Sequence, residues 1–131
     1  MHTRTVGPDA RHALPPGWPP EVAPPGTPEW ERSASAWLFD QCPPGYRDHE
    51  VLRRQPIVLA RFAATAVEAA LEATDAGLRT VRVELRDRVP PETVEAAAAA
   101  YEHERQQLRR ARQAVDLVER ALRGERWVAR L

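Results

Sequence analysis

Apolar residues recur at helical spacing along most of the chain beyond residue 30, in three blocks separated by prolines. The first block carries Trp30, Ala34, Trp37 and Leu38 on one stripe, with Phe39 beside it, and predicts a helix over residues 28–41. Thr27-Pro28-Glu29 reads as its start, with Thr as cap, Pro in the first turn and Glu at the positive end of the dipole. Pro43-Pro44-Gly45 stops it, and a short helical turn over residues 48–54 follows. The second block, residues 56–87, repeats in heptads at Ala63, Val67, Leu71, Thr74, Leu78, Val81 and Leu85. The third, residues 91–123, repeats at Val94, Ala97, Tyr101, Glu104, Leu108, Ala111, Val115, Val118 and Leu122. Gly124 supplies a left-handed stop, with Arg120 and Arg123 in the last turn.

Two predicted helices far longer than the ~11–12-residue average, joined by a short proline turn, imply an antiparallel hairpin. A fold near residue 89 sets Leu85 opposite Val94, Leu78 opposite Tyr101 and Leu71 opposite Leu108. Thr74 then meets Glu104 in one polar layer, a device that fixes register more than it stabilises. The charges agree with this pairing. Glu68, Glu72 and Asp75 come to face Arg105, Arg109, Arg110 and Arg112. Arg79, Arg82, Arg86 and Arg88 face Glu92, Glu95, Glu102 and Glu104. Slipped or parallel pairings bring like charges together. The fold class is therefore all-α: a coiled-coil-like hairpin with an N-terminal helix packed on it.

The second helix has a further apolar face, Leu59, Phe62, Ala66, Ala69 and Ala73. Trp30 and Trp37 of the first helix suit part of it. The segment ahead of that helix is of a different kind. Residues 14–30 hold seven prolines and two tryptophans, and proline at this density excludes helix. An extended polyproline-II arm is expected over residues 1–26, unstructured before residue 14. Trp18 and Val22 would anchor it as a strap along the rest of that face. The alternative is a ligand for an aromatic groove, because Pro16-Gly17-Trp18-Pro19 and Pro25-Gly26-Thr27-Pro28 both fit PxxP. That pattern arises by density alone, and the basic flanks usual in such ligands are absent nearby.

Composition narrows the function classes. Nineteen cationic side chains balance nineteen anionic ones, whereas a nucleic-acid module is usually basic. Every cation is Arg, without Lys or Asn, which reflects GC-rich codons more simply than guanidinium chemistry. The single Cys42 excludes an internal disulfide framework, and no apolar run reaches the ~20 residues of a membrane span. The N-terminus has no apolar signal core, so a cytoplasmic location is expected, with no membrane contact.

Candidate chemistry is sparse. Arg105, Arg109, Arg110 and Arg112 form a run that suits phosphates, but Glu68 and Glu72 oppose it and no aromatic lies within it to stack bases. His103-Glu104 opens like a zinc-protease helix, yet Gln107 stands where the second ligand belongs. Cys42 and His49 offer a thiolate pair without an orienting partner; the plainer reading of Cys42 is a small buried hydrophobe. Ala96–Ala100 marks either a dimer face or a crossing of the first helix or strap. The tail, residues 125–131, is short and apolar around Trp127, and either docks into a partner or folds back. No phosphate loop, carboxylate pair or cysteine cluster is present, so no catalytic residue, metal or cofactor is expected.

The stretch WLFDQCPPGYRDHEVLRRQPIVLARF, with LPPGWPPEV before it and ALRGERWVARL after it, resembles small proteins encoded by actinobacteria. The resemblance runs from Leu14 to Leu131 and implies a bacterial cytoplasmic origin; it assigns no role to any residue. The expected function is non-enzymatic: a structural or adaptor protein acting through protein–protein contacts, self-association into a homodimer among them. Trp18, Leu59, Phe62, Ala66 and Trp127 are its expected contact residues. The competing expectation is an accessory nucleic-acid or ribosome-associated protein using the Arg105–Arg112 face.

Overall fold

A computed structural model describes residues 14–128. Among the described residues four α-helices follow one another: α1 (Trp30–Asp40), α2 (Glu50–Arg54), α3 (Pro56–Leu85) and α4 (Pro91–Leu122), with a 3-10 turn at Pro44–Asp48 between the first two. No strand occurs among the described residues. α3 and α4 form the expected antiparallel hairpin, and α1 packs on α3. The first half of the predicted arm, residues 1–13, and the end of the tail, residues 129–131, lie outside the described residues.

The termini follow local chemistry. Pro56 and Pro91 sit in the first turns of α3 and α4, where a missing N–H costs nothing. Beyond α4, Gly124 has φ +92; its N–H donates to Ala121 O, and Glu125 N–H donates to Arg120 O. These two bonds make a Schellman stop. At the hairpin tip Asp87 takes φ 63, a conformation its short polar side chain tolerates better than most. One start differs from expectation. α1 begins at Trp30, because Thr27 turns its hydroxyl back to Pro24 O and its carbonyl accepts from Trp30 N–H, closing a turn ahead of the helix.

Ion pairs across the hairpin fix the expected register: Arg82 with Glu95, Asp75 with Arg105, and Glu68 with Arg112. The Tyr101 ring lies over Gly77, next to its expected partner Leu78. The polar layer differs. Glu104 is exposed, and Arg105 turns inward at the level of the buried Thr74. The centre line of the α4 seam holds at Val94, Tyr101, Leu108 and Val115. Near the C-terminus both of its flanks are buried, at Val118 and Glu119, whereas nearer the tip the better-buried flank is that of Ala98 and Arg105. The reason is what lies alongside. Near the C-terminus of α4 other chain covers the flank that α3 leaves open; toward the tip, among the described residues, α3 alone packs against it.

The core sits at the open end of the hairpin. Leu38 and Ala34 of α1, Leu52 of α2, Leu59 and Ala63 of α3, and Val115 and Val118 of α4 are all essentially excluded from water. Val22 of the proline segment joins them. That segment is not an extended arm. Trp18, Val22 and Thr27 each donate a backbone N–H three residues back, to Pro15, Pro19 and Pro24. Two of these turns read Pro-Pro-Gly, and Gly17 and Gly26 have φ +93 and +88, the type II geometry with Pro second and Gly third. The segment is nonetheless a strap. Trp18 stacks on Trp30 at 5.7 Å, its indole N–H donates to Val22 O, and Ala23 N–H donates to Ser33 Oγ. It crosses α4 rather than the second face of α3: Gly17 abuts the Gln113 side chain. α1 already occupies the α3 face, so the residues just before α1 continue onto the neighbouring helix.

Candidate interaction surfaces

The expected contact residues scatter. Leu59 is completely buried and belongs to the core, because α1 covers the face of α3 that carries it. Ala66 is half-buried on the same face. Phe62 stays 43% exposed, edge-on to Tyr46 at 5.8 Å. Trp18 is half-buried as the strap's anchor. Trp127 remains exposed, and with Trp18, Pro15, Pro25, Leu117 and Ala121 it lines an open hollow of about 640 Å³ between strap, α4 and tail.

The arginine run is partly spent. Arg105 bonds Glu102 on its own helix and Asp75 across the hairpin, and Arg112 pairs with Glu68. Arg109 and Arg110 are exposed, with no ion pair among the described residues. The pairs Arg82–Glu95, Asp75–Arg105 and Glu68–Arg112, together with Arg61–Glu119, fall on one side of the hairpin, since positions seven apart recur on one helix face. The opposite side is poor in charge: Ala66, Ala69, Ala70, Ala73 and Thr80 on α3, and Ala97 and Ala100 on α4, with Glu84 and Glu104 at its charged positions. α1 covers this side at the open end, where Ala66 and Ala70 are half-buried. Beyond Leu71 no described residue covers it, and Ala73, Thr80 and Ala100 are exposed.

Sequence reasoning missed a buried carboxylate. Glu119 is 6% exposed and accepts from Arg61 at 2.8 Å and from Arg123 at 2.9 Å. Burial alone would raise its pKa. The two guanidinium hydrogen bonds and charges outweigh that and hold it below the usual carboxylate range. The signal was present: Arg123 lies four residues on, and the hairpin register brings Arg61 opposite. The clamp ties the start of α3 to the end of α4.

Cys42 is buried, and its thiol donates to Leu38 O at 3.4 Å. Burial pushes its pKa up, with Arg47 opposing more weakly, the reverse of an activated thiolate. His49 is exposed and stacks edge-on against Tyr46, not Cys42. His103 contacts Gln107, the position where a zinc helix needs its second ligand. Among the described residues no group of three His, Cys, Asp or Glu is placed to hold a metal, and no helix is long and apolar enough to cross a membrane.

No family model, no curated protein and no solved structure matches this chain.

Proposed function

We propose that this is a non-enzymatic contact protein in which the open end of the hairpin is a folded head and the charge-poor side of its far half meets another protein. One observation carries the reading. The same side of the hairpin is covered by α1 at the head and, among the described residues, bare beyond it, while the other side carries the ion pairs between the helices. Small side chains let a partner helix approach closely, and few charges need desolvation on contact. The test uses the full chain and an Ala73→Arg/Ala100→Arg variant, both exposed positions that leave the seam intact. Light scattering reads the mass against 14.7 kDa. A doubled mass lost in the variant assigns the side to a second copy. A monomer whose co-purifying protein is lost in the variant assigns it to a different partner. If neither association responds to the two arginines, the proposal fails.

A second reading, phosphate contact by Arg109 and Arg110, is favoured only by their having no ion pair among the described residues. It requires retention on heparin at low salt that disappears in Arg109→Gln/Arg110→Gln. Without such retention it is excluded.

A further inference from the structure

The hydrophobic core is not continuous along the hairpin. It ends at Leu71 on α3 and at the partly buried Leu108 on α4. Nearer the tip Val81, Val94 and Ala98 are buried again, but they belong to no part of that core. The gap between the two groups is polar. Thr74 is buried there, Asp75 and Arg105 bridge the helices at 3.5 Å, and Arg105 Nε is shut from water with no hydrogen-bond partner. A buried donor left unpaired weakens its layer. The Tyr101 ring against Gly77 then begins the tip's own packing.

We propose that the hairpin beyond this layer is a separate cooperative unit that opens while the head stays folded, with Thr74, Asp75 and Arg105 as its boundary. Opening separates α3 and α4 from Thr74 to the tip and bares the stripe of Leu78, Val81, Leu85, Val94 and Tyr101. Once parted, helical segments this short are marginal in water, so their amides exchange during each opening. The inference does not depend on what the charge-poor side contacts. It makes that side conditional, because Ala73 and Ala100 sit on different helices and keep their spacing only while the unit is closed.

Native-state hydrogen exchange on the full chain, at several low urea concentrations, tests it. Amides of residues 78–98 should exchange at least tenfold faster than those of 59–70 and 112–121, with a weaker urea dependence. Leu38→Ala, in the head, should lower head protection and leave tip protection unchanged. A thiol placed by Val81→Cys should react under native conditions at least tenfold faster than the buried Cys42 of the head. Arg105→Leu, which fills the gap with an apolar side chain, should slow exchange at the tip. Equal protection in the two regions, falling in parallel with urea, means a single cooperative unit and overturns the proposal. A Val81→Cys thiol no more reactive than Cys42 does the same.

Discussion

α3 and α4 pair along the whole hairpin, yet their two halves live in different surroundings. In the head they are two members of a layered core that also takes in α1, α2 and the strap. There Leu38, Leu52, Leu59, Val115 and Val118 are at most 1% exposed. Toward the tip, among the described residues, the same helices have only each other, and their best-buried large side chains, Val81 and Val94, retain 5% and 8%. A pair of helices encloses a seam one side chain wide. It takes a third layer to close the flanks, and among the described residues α1 with the strap supplies it at one end only. The proline segment therefore acts as a wall of the head. Two of its glycines, Gly17 and Gly26, provide the turns that fold it there.

The comparison breaks most readily at Leu38. Leu38→Ala leaves a cavity in the fully closed region and should cost about 2–5 kcal/mol, with unfolding that stays cooperative across the head. Val94→Ala, in the seam near the tip, removes a smaller group from a site that still touches water and should cost about 1–2 kcal/mol. Thermal or urea denaturation of the two variants decides it. Equal losses would mean that the tip is as well packed as the head.

Electrostatics separates the halves next. Glu119 is buried in the head between Arg61 and Arg123. Its carboxyl is held below the ordinary range in the folded chain, so added acid protonates the unfolded chain first. The stability it contributes is therefore complete at neutral pH and drains away as pH falls from the usual glutamate range through the folded value. Glu119→Gln should lower stability by about 1–3 kcal/mol at pH 7, the worth of hydrogen bonds to a charged group. It should also flatten the acid side of the melting-temperature profile. Glu95, exposed near the tip and lowered chiefly by its hydrogen bond to Arg82, has the same sign. Glu95→Gln should change the acid side far less.

Much of this architecture was legible because periodicity is a global signal. The heptads of residues 63–85 and 94–122, together with the opposed charge blocks, fixed the hairpin and its register. Pro56, Pro91 and Gly124 fixed its ends. The strap's role was legible from Trp18 and Val22, but its path was not. Pro-Pro-Gly occurs twice in it and is a type II turn signature, which the density of proline disguised as an extended arm. Whether Glu104 or Arg105 faces inward could not be read from α4 alone, because that depends on which flank the rest of the chain covers. Leu59 failed as a contact residue for the same reason: an apolar face signals burial without naming what buries it. The contact surface now proposed is small and alanine-rich, and a sequence shows such residues simply as good helix formers.

Gly77 sharpens the description of the tip itself. Glycine inside a helix costs about 1 kcal/mol relative to alanine, so Gly77→Ala would ordinarily stabilise α3. Here an added Cβ runs into the Tyr101 ring, which must move aside. Gly77→Ala alone should therefore gain little or lose. On a Tyr101→Ala background the gain of about 0.5–1 kcal/mol should reappear. The same gain on both backgrounds would show that Tyr101 does not seal this part of the seam.

The smallest expected effect concerns salt. Arg82 grips Glu95 by a two-bond fork, 2.8 and 2.9 Å long, with both side chains more than half exposed. Such a pair lies in water, where attraction is weak and the entropy of fixing two long side chains opposes it. At about 1 M salt the screening length shrinks to about 3 Å, comparable to the pair itself. Arg82→Gln should lower the melting temperature slightly at low ionic strength and not measurably at high. Glu119→Gln should keep most of its effect under both conditions, because its carboxylate is only 7% exposed, even though Arg61 and Arg123 themselves reach solvent. The contrast between the two salt series isolates burial as the cause, since both sites use the same carboxylate and guanidinium chemistry. If the Arg82→Gln loss persists undiminished in high salt, the tip shields its charges as the head does, and the division of the hairpin into two environments is wrong.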